Sequence, residues 1–326
     1  MKQAFSDIPV VILAAGQGSR MRAGGIDQAK PLLPLCDRAI LSHQVQMLRL
    51  LGVTRFVVVD NEEDEAAIED AFARGLWHSR KADGVTRGGV LVQYVQVGGQ
   101  GHMDALRLAL AEEECSGPVL VLLGDIFLRL REGGLDGYPR MMTGRTAAVV
   151  AAREEADPAA MAENFALWTD DRGRVQRLEE KPSNPDTKLK GVGLYLFSPS
   201  SFDVLRNPGH PHLTAALQVM VDRGQEVMAG GGIGADVNVN RPSDFYRANL
   251  LALATAKTRG EAGYVAQSAQ VEQGVVLSGC VVMNEAVLRG QARLSRVVVM
   301  PGTAVDLDGA RLDRCILSNQ SIIQVD

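Results

Sequence analysis

The stretch Val10-Val11-Ile12-Leu13-Ala14-Ala15-Gly16-Gln17-Gly18-Ser19-Arg20-Met21, with Lys30-Pro31 after it, decides how the chain is read. A short apolar run that ends in glycine has the pattern of a parallel strand buried on both faces. Glycines directly after such a strand let backbone N–H groups approach phosphate oxygens, and Arg20 and Lys30 add mobile positive charge. Met21 stands where the dinucleotide fingerprint has its third glycine, and no Gly-Lys-Ser/Thr follows. Neither the dinucleotide nor the P-loop pattern therefore fits.

Outward from this stretch, similar apolar runs recur at Phe56 to Val59, Val90 to Val97, Val119 to Leu123 and Ala147 to Ala151. Between them Leu41 to Leu51, Glu63 to Phe72 and Met103 to Glu113 carry helical spacing. Alternating strands and helices predict a doubly wound α/β sheet, with ligands outside the carboxyl ends of its strands. The loops after Ala15, Val97 and Leu123 are thus where chemistry is expected. Farther on, Asp170-Asp171-Arg172-Gly173 predicts a hairpin turn in an antiparallel extension, and Asp244 to Lys257 has a helical apolar period ending near Gly260.

Beyond Gly260 the texture changes. Cys280, Ala286, Ala292, Val298, Ala304, Ala310, Ile316 and Ile322 recur at a period of six, the spacing of a parallel β-helix. Two domains follow, 1–260 and 261–326. The open end of such a coil needs a neighbour, which predicts a homo-oligomer.

Composition narrows the function classes. Of the 326 residues, 46% are apolar and 22% charged, enough apolar material for a buried core. A formal net charge of -5 disfavours nucleic acid as a partner, since its binders carry a basic stripe. Cys36, Cys115, Cys280 and Cys315 show neither C-x-x-C pairing nor zinc spacing and read as reduced thiols. The run Val10 to Ala15 is too short for a signal sequence, and no run approaches membrane-spanning length. A cytoplasmic protein with no membrane partner is expected.

Leu13-Ala14-Ala15-Gly16-Gln17-Gly18-Ser19-Arg20-Met21 with Lys30-Pro31 resembles the signature of sugar-phosphate nucleotidyltransferases, or NDP-sugar pyrophosphorylases. The resemblance implies a Rossmann-like domain of the GT-A type with a mixed central sheet, followed by a short left-handed parallel β-helix. It implies an enzyme that joins a nucleoside triphosphate to a sugar 1-phosphate with Mg²⁺. Leu13 to Gly16, Gly18, Ser19 and Arg20 would wrap the nucleotide phosphates, and Lys30 would hold the departing pyrophosphate.

Gln96-Val97-Gly98-Gly99-Gln100-Gly101-His102 resembles the base-reading loop of that family, with Gln96, Gly99 and Gly101 as nucleotide contacts, although glutamine replaces the usual threonine. Val119 to Asp125 reads as a buried strand that delivers a carboxylate; by resemblance Asp125 holds the metal and Gly124 lies against the nucleotide. Alternation along Ala235 to Asp244 puts Asp236, Asn238 and Asn240 on one face, and the family pattern D-[IV]-x-T-P-x-D points to Asn238 as second metal ligand, with Asp236 as the other candidate. Glu179-Glu180-Lys181-Pro182 and Gly191-Val192-Gly193-Leu194-Tyr195 resemble the acceptor motifs. They imply Glu180 on sugar hydroxyls, Lys181 on the sugar phosphate and Gly193 beside the sugar. A CTP-dependent transferase with a non-sugar phosphomonoester, and a regulatory homologue that only binds an NDP-sugar, remain as rival readings.

Overall fold

The computed structural model describes residues 5–16, 18–83, 89–97, 101–112, 116–256 and 260–325. By their contacts these fall into two compact units: Met1–Gln17 with Leu41–Asp236, and Gly18–Ile40 with Val237–Asp326. The expected division near residue 260 does not coincide with this one. The segment bearing Arg20 and Lys30 groups with the tail instead.

In the first unit the strands are β1 (Val10–Leu13), β2 (Arg55–Asp60), β3 (Leu91–Gln96), β4 (Val119–Leu123), β5 (Ile126–Leu130), β6 (Thr146–Glu154), β7 (Phe165–Thr169), β8 (Val175–Glu180), β9 (Leu189–Phe197) and β10 (Glu226–Gly230), and β11 (Ile233–Asn238) begins there and passes into the second unit at Val237. The large sheet runs β8-β7-β9-β4-β1-β2-β3, with β6 on β9 and β10 on β6. β1 pairs in parallel with both β2 and β4, and β2 in parallel with β3. β9 then reverses the direction against β4, β6 and β7. The central sheet is therefore mixed. β1 is VVIL, buried throughout, as a strand covered on both faces must be.

Register brings the carboxyl ends Leu13, Asp60, Gln96 and Leu123 to one edge. On one face Val57, Val59, Val95 and Val121 pack with Met103, Leu106 and Ala109 of the helix His102–Glu112. On the other, Phe72 of the helix Glu65–Asp83 stands edge-on to Phe56, ring centroids 5.0 Å apart. The turn at Asp170 joins β7 to β8, with Gly173 donating to the Asp170 carbonyl at 3.0 Å.

In the second unit a short hairpin (Pro34–Leu35 with Arg38–Ala39) meets the helix Pro242–Leu253. Asn249 is fully buried there; its Oδ1 accepts from the Cys36 N–H at 3.0 Å and its Nδ2 donates to the Pro34 carbonyl at 3.2 Å. This explains why residues 18–40 group with the tail. The tail is a stack of parallel strands: Gly263 pairs with Cys280, Val281 with Val298, Gln270 with Val287 and Val275 with Ala292. These offsets fall just short of three hexapeptides, and Arg293 pairs with Arg311 at three full ones. Cys280, Ala286, Leu288, Leu294 and Val299 fill the interior.

The last expected repeat departs from the pattern. Ile322–Gln324 lies antiparallel to Arg311–Leu317, and Ile322 is 49% exposed. A turn closed by the Ser318 N–H on the Ser321 carbonyl, 3.0 Å, reverses the chain and ends the parallel stack.

Candidate active site

The residues expected to act together are distributed over both units, and each half has its own geometry. In the first unit, Leu13, Ala14 and Ala15 are buried at the end of β1, with the Ala14 N–H on the Val59 carbonyl at 2.7 Å. Asn61, just after β2, donates from Nδ2 to the Ala15 carbonyl at 3.0 Å and fixes the path into Gly16. At the end of β4, Gly124 N–H donates to the Leu13 carbonyl at 2.9 Å. A Cβ on Gly124 would sit 2.7 Å from that oxygen, so glycine is required for the turn to lie against β1.

Asp125 follows that turn, 8% exposed. Buried Gln44, on the helix Ile40–Leu50, staples the turn: its Nε2 donates to the carbonyls of Leu123 and Ile126, 2.8 Å each, on either side of Asp125. Sequence gave no sign of Gln44, because a lone glutamine on a helix has no periodic or motif signal.

Gln96 is exposed at the end of β3, and Gly101 starts the helix that follows, its carbonyl accepting from the Asp104 N–H at 3.0 Å. Gly99 lies outside the described residues.

On the acceptor side, Glu180 Oε2 accepts from buried Thr214 Oγ at 2.7 Å, a contact the sequence did not show. Lys181 adopts φ 46°, the left-handed region, with its N–H on the Asn164 carbonyl at 2.6 Å. A lysine seldom adopts that conformation, and such outliers cluster where a chain must present a side chain. Gly193 is small for packing reasons: a Cβ there would lie 2.3 Å from Ile126 and 2.6 Å from Leu123. At Gly191 a Cβ would strike the Phe165 ring at 1.9 Å. Tyr195 lies between the rings of Phe165 and Phe197, and burial, then the charges of Glu180 and Asp125, pushes its hydroxyl well above the ordinary tyrosine range.

Asp236, the other candidate metal ligand, is engaged in an ion-pair cluster. Its carboxylate accepts from Lys190 Nζ at 2.9 Å and from Arg153 Nε, and its charge is taken up there. Glu155 joins the same cluster, accepting from Arg153 Nη2 at 2.7 Å. Burial pushes the Glu155 carboxyl up, but the Asp157 N–H together with Arg153 and Lys190 outweighs it and holds the group below its usual range.

In the second unit, Gly18 takes φ 62° and caps the short helix Ser19–Ala23 that carries Arg20. Lys30 begins a single 3₁₀ turn, 8% exposed. Both cations reach Asn240: Lys30 Nζ donates to its Oδ1 at 2.6 Å and Arg20 Nη2 to the same oxygen at 3.0 Å. Asn238, two residues earlier, has a buried Oδ1 with no hydrogen-bond partner among the described residues. An orphaned amide oxygen suits a hard, oxygen-seeking cation such as Mg²⁺. Among the described residues no group of three or more His, Cys, Asp or Glu could hold a metal.

Comparison with known proteins bears on the family and the fold. A low-salt glycan biosynthesis nucleotidyltransferase, Agl11 of Haloferax volcanii, is 26% identical over 274 residues, 82% of this chain and 72% of its own. A glucose-1-phosphate thymidylyltransferase of Streptomyces griseus is 26% identical over 317 residues, 91% of this chain and 82% of its own. The fold matches a crystal structure of apo UDP-glucose pyrophosphorylase at a TM-score of 0.61 and 18% identity, over 76% of this chain and 99% of that one. The nucleotidyl transferase family profile matches residues 9–253, three quarters of the chain, and the protein belongs to that family of enzymes.

Proposed function

We propose that the protein condenses a nucleoside triphosphate with a sugar 1-phosphate, releasing pyrophosphate and an NDP-sugar. The observation that carries this reading is the meeting of Arg20 and Lys30 on one neutral oxygen beside the left-handed Gly18. Two cations gathered at one point beside a glycine turn suit a polyphosphate. The names of the relatives, which include enzymes acting on glucose 1-phosphate, support the sugar phosphate as acceptor.

A sugar phosphate is already ionised near neutral pH, so no general base is needed and catalysis reduces to positioning and charge stabilisation. Its oxygen attacks the α-phosphorus in line; the bond to the bridging oxygen breaks, and the electron pair leaves with pyrophosphate. Arg20 and Lys30 stabilise that departing charge. Lys181 orients the attacking phosphate, and Glu180, held by Thr214, takes the sugar hydroxyls. The backbone from Leu13 to Gly16, with Gly18, Ser19 and Gly124, lies along the nucleotide, and Gln96, Gly99 and Gly101 read the base. Asp125 and Asn238 would hold Mg²⁺, which when bound supplies further neutralisation of the triphosphate.

The tail coil turns left-handed in this reading and joins copies of the chain. Nucleotide substrates and the buried free thiols of Cys36, Cys280 and Cys315 favour the cytoplasm.

Pyrophosphate release with Mg²⁺, over five triphosphates and a panel of sugar 1-phosphates and other phosphomonoesters, tests the reaction and identifies the substrates. Turnover only with CTP and a non-sugar phosphomonoester would replace the sugar reading. Binding of an NDP-sugar without turnover would make the chain a regulatory homologue. Asp125→Ala should abolish turnover while the circular dichroism spectrum stays that of the wild type; retained turnover would end the role of Asp125 at the metal.

A further inference from the structure

The hairpin that follows Lys30 is held from outside. Its two turn residues, Cys36 and Asp37, both lie in the left-handed region, at φ 47° and 65°. Such a turn favours asparagine and glycine, and a Cys-Asp pair keeps it only where the surroundings impose it. They do so here. The Cys36 N–H donates to Asn249 Oδ1 at 3.0 Å, and the Asp37 carboxylate accepts from two residues of the coil, Tyr264 Oη at 2.9 Å and the Asn284 N–H at 2.6 Å. Those donors are fixed in turn: Tyr264 pairs with Val281 between successive strands, and the Asn284 carbonyl accepts from the Gly302 N–H at 2.9 Å. Toward its stem the hairpin is continuous with Lys30. The Leu33 N–H donates to the Lys30 carbonyl and the Ile40 N–H to the Leu33 carbonyl, 3.1 Å each, and Leu33 and Leu35 are fully buried.

We propose that Asp37 is a positioning residue of the phosphate site: it clamps the hairpin to the coil and so sets the backbone from which Lys30 reaches the triphosphate. The proposal rests on the functional reading above and deepens it, because it makes the coil a working part of the nucleotide site. The reason is preorganisation. Were the hairpin free to rock, binding would have to order its backbone as well as the side chain that meets the phosphate, and affinity would fall. A carboxylate suits the clamp because hydrogen bonds to a charged acceptor are the stronger kind, and its two oxygens let it meet both coil residues at once. Residues 18–40 and the coil belong to one unit, so the clamp acts on the nucleotide end of the site. Glu180 and Lys181, the contacts proposed for the sugar phosphate, belong to the other unit and should not feel it.

The test is the affinity for inorganic pyrophosphate in Mg²⁺, by calorimetry at a temperature where circular dichroism shows each variant folded, read beside the KM for the sugar phosphate. Asp37→Gly suits the left-handed turn but removes both acceptors; it should weaken pyrophosphate binding about tenfold and leave the KM for the sugar phosphate unchanged. Tyr264→Phe withdraws one donor from the coil side and keeps the ring, and should weaken binding about threefold. Asp37→Asn should stay within about twofold of wild type, because asparagine tolerates the turn and the Tyr264 hydroxyl can accept as well as donate. A clamp that serves stability alone would lower the thermal midpoint of Asp37→Gly and leave the pyrophosphate affinity of the folded protein as in wild type. That result, or a sugar-phosphate KM that rises in step with the pyrophosphate dissociation constant, would overturn the proposal and leave the functional reading intact. Wild-type protein that binds no pyrophosphate would overturn both.

Discussion

Two clusters in this protein each hold one arginine and one lysine, and the acceptors on which the two pairs meet differ. Arg153 and Lys190 lie in the first unit against Asp236 and Glu155, with the Lys190 and Asp236 side chains only 4% and 2% exposed. Two cations meet two anions and the cluster closes on itself. Arg20 and Lys30 lie in the second unit and share the uncharged oxygen of Asn240. Residue type alone does not tell a catalytic cation from a structural one. The shared acceptor is the difference on view: a carboxylate brings a counter-charge to the pair, an amide oxygen brings none.

The comparison breaks most directly at the two lysines. Lys30→Met should reduce kcat/KM by about 10²- to 10³-fold, the usual cost of removing one donor from developing charge, while the thermal midpoint stays close to that of wild type. Lys190→Met should do the reverse. It strands Asp236 in a buried site, and removing one member of a buried ion pair costs about 3–5 kcal/mol, read as a fall in the denaturant midpoint. Adding Asp236→Leu to Lys190→Met should recover part of that loss, because Arg153 keeps Glu155 as its counter-charge. If Lys30→Met unfolds the protein and Lys190→Met disables only turnover, the assignment of the two clusters is inverted.

Much of the catalytic sheet was legible because its signals are local. Val10 to Leu13 and Val119 to Leu123 are unbroken apolar runs, and Gly18 and Gly124 stand where a left-handed turn and a close approach require glycine. The clusters were not legible to the same degree. Asp236 looked available because strand alternation sets it beside Asn238, whereas its partners Arg153 and Lys190 come from strands far away in sequence whose register the chain does not announce. Gln44 was hidden for the same reason: its work is done on carbonyls some eighty residues away. At the tail, a period of six was carried through Ile322, but side-chain period cannot report that the backbone reverses at Ser318.

Asp60 sharpens the comparison from the side of the anions, with the smallest effect. It ends β2 fully buried, and neither carboxylate oxygen accepts a hydrogen bond from another described residue. Burial, then the nearby charge of Glu65, pushes its carboxyl up to about 6. Here a charge has neither a carboxylate's counter-ion nor an amide's neutral partner. The sign follows from linkage: a group that binds its proton more tightly when folded favours the folded state at low pH, and that advantage is lost as the pH rises through the folded value. Asp60→Asn keeps the shape and removes the charge. The variant should therefore unfold at a higher temperature than wild type at pH 8, by a few degrees, and the gap should narrow as the pH is lowered through 6 toward 4. A gap that is absent at pH 8, or that widens toward acid, would mean that Asp60 finds a partner when folded and that all three kinds of charge handling reduce to two.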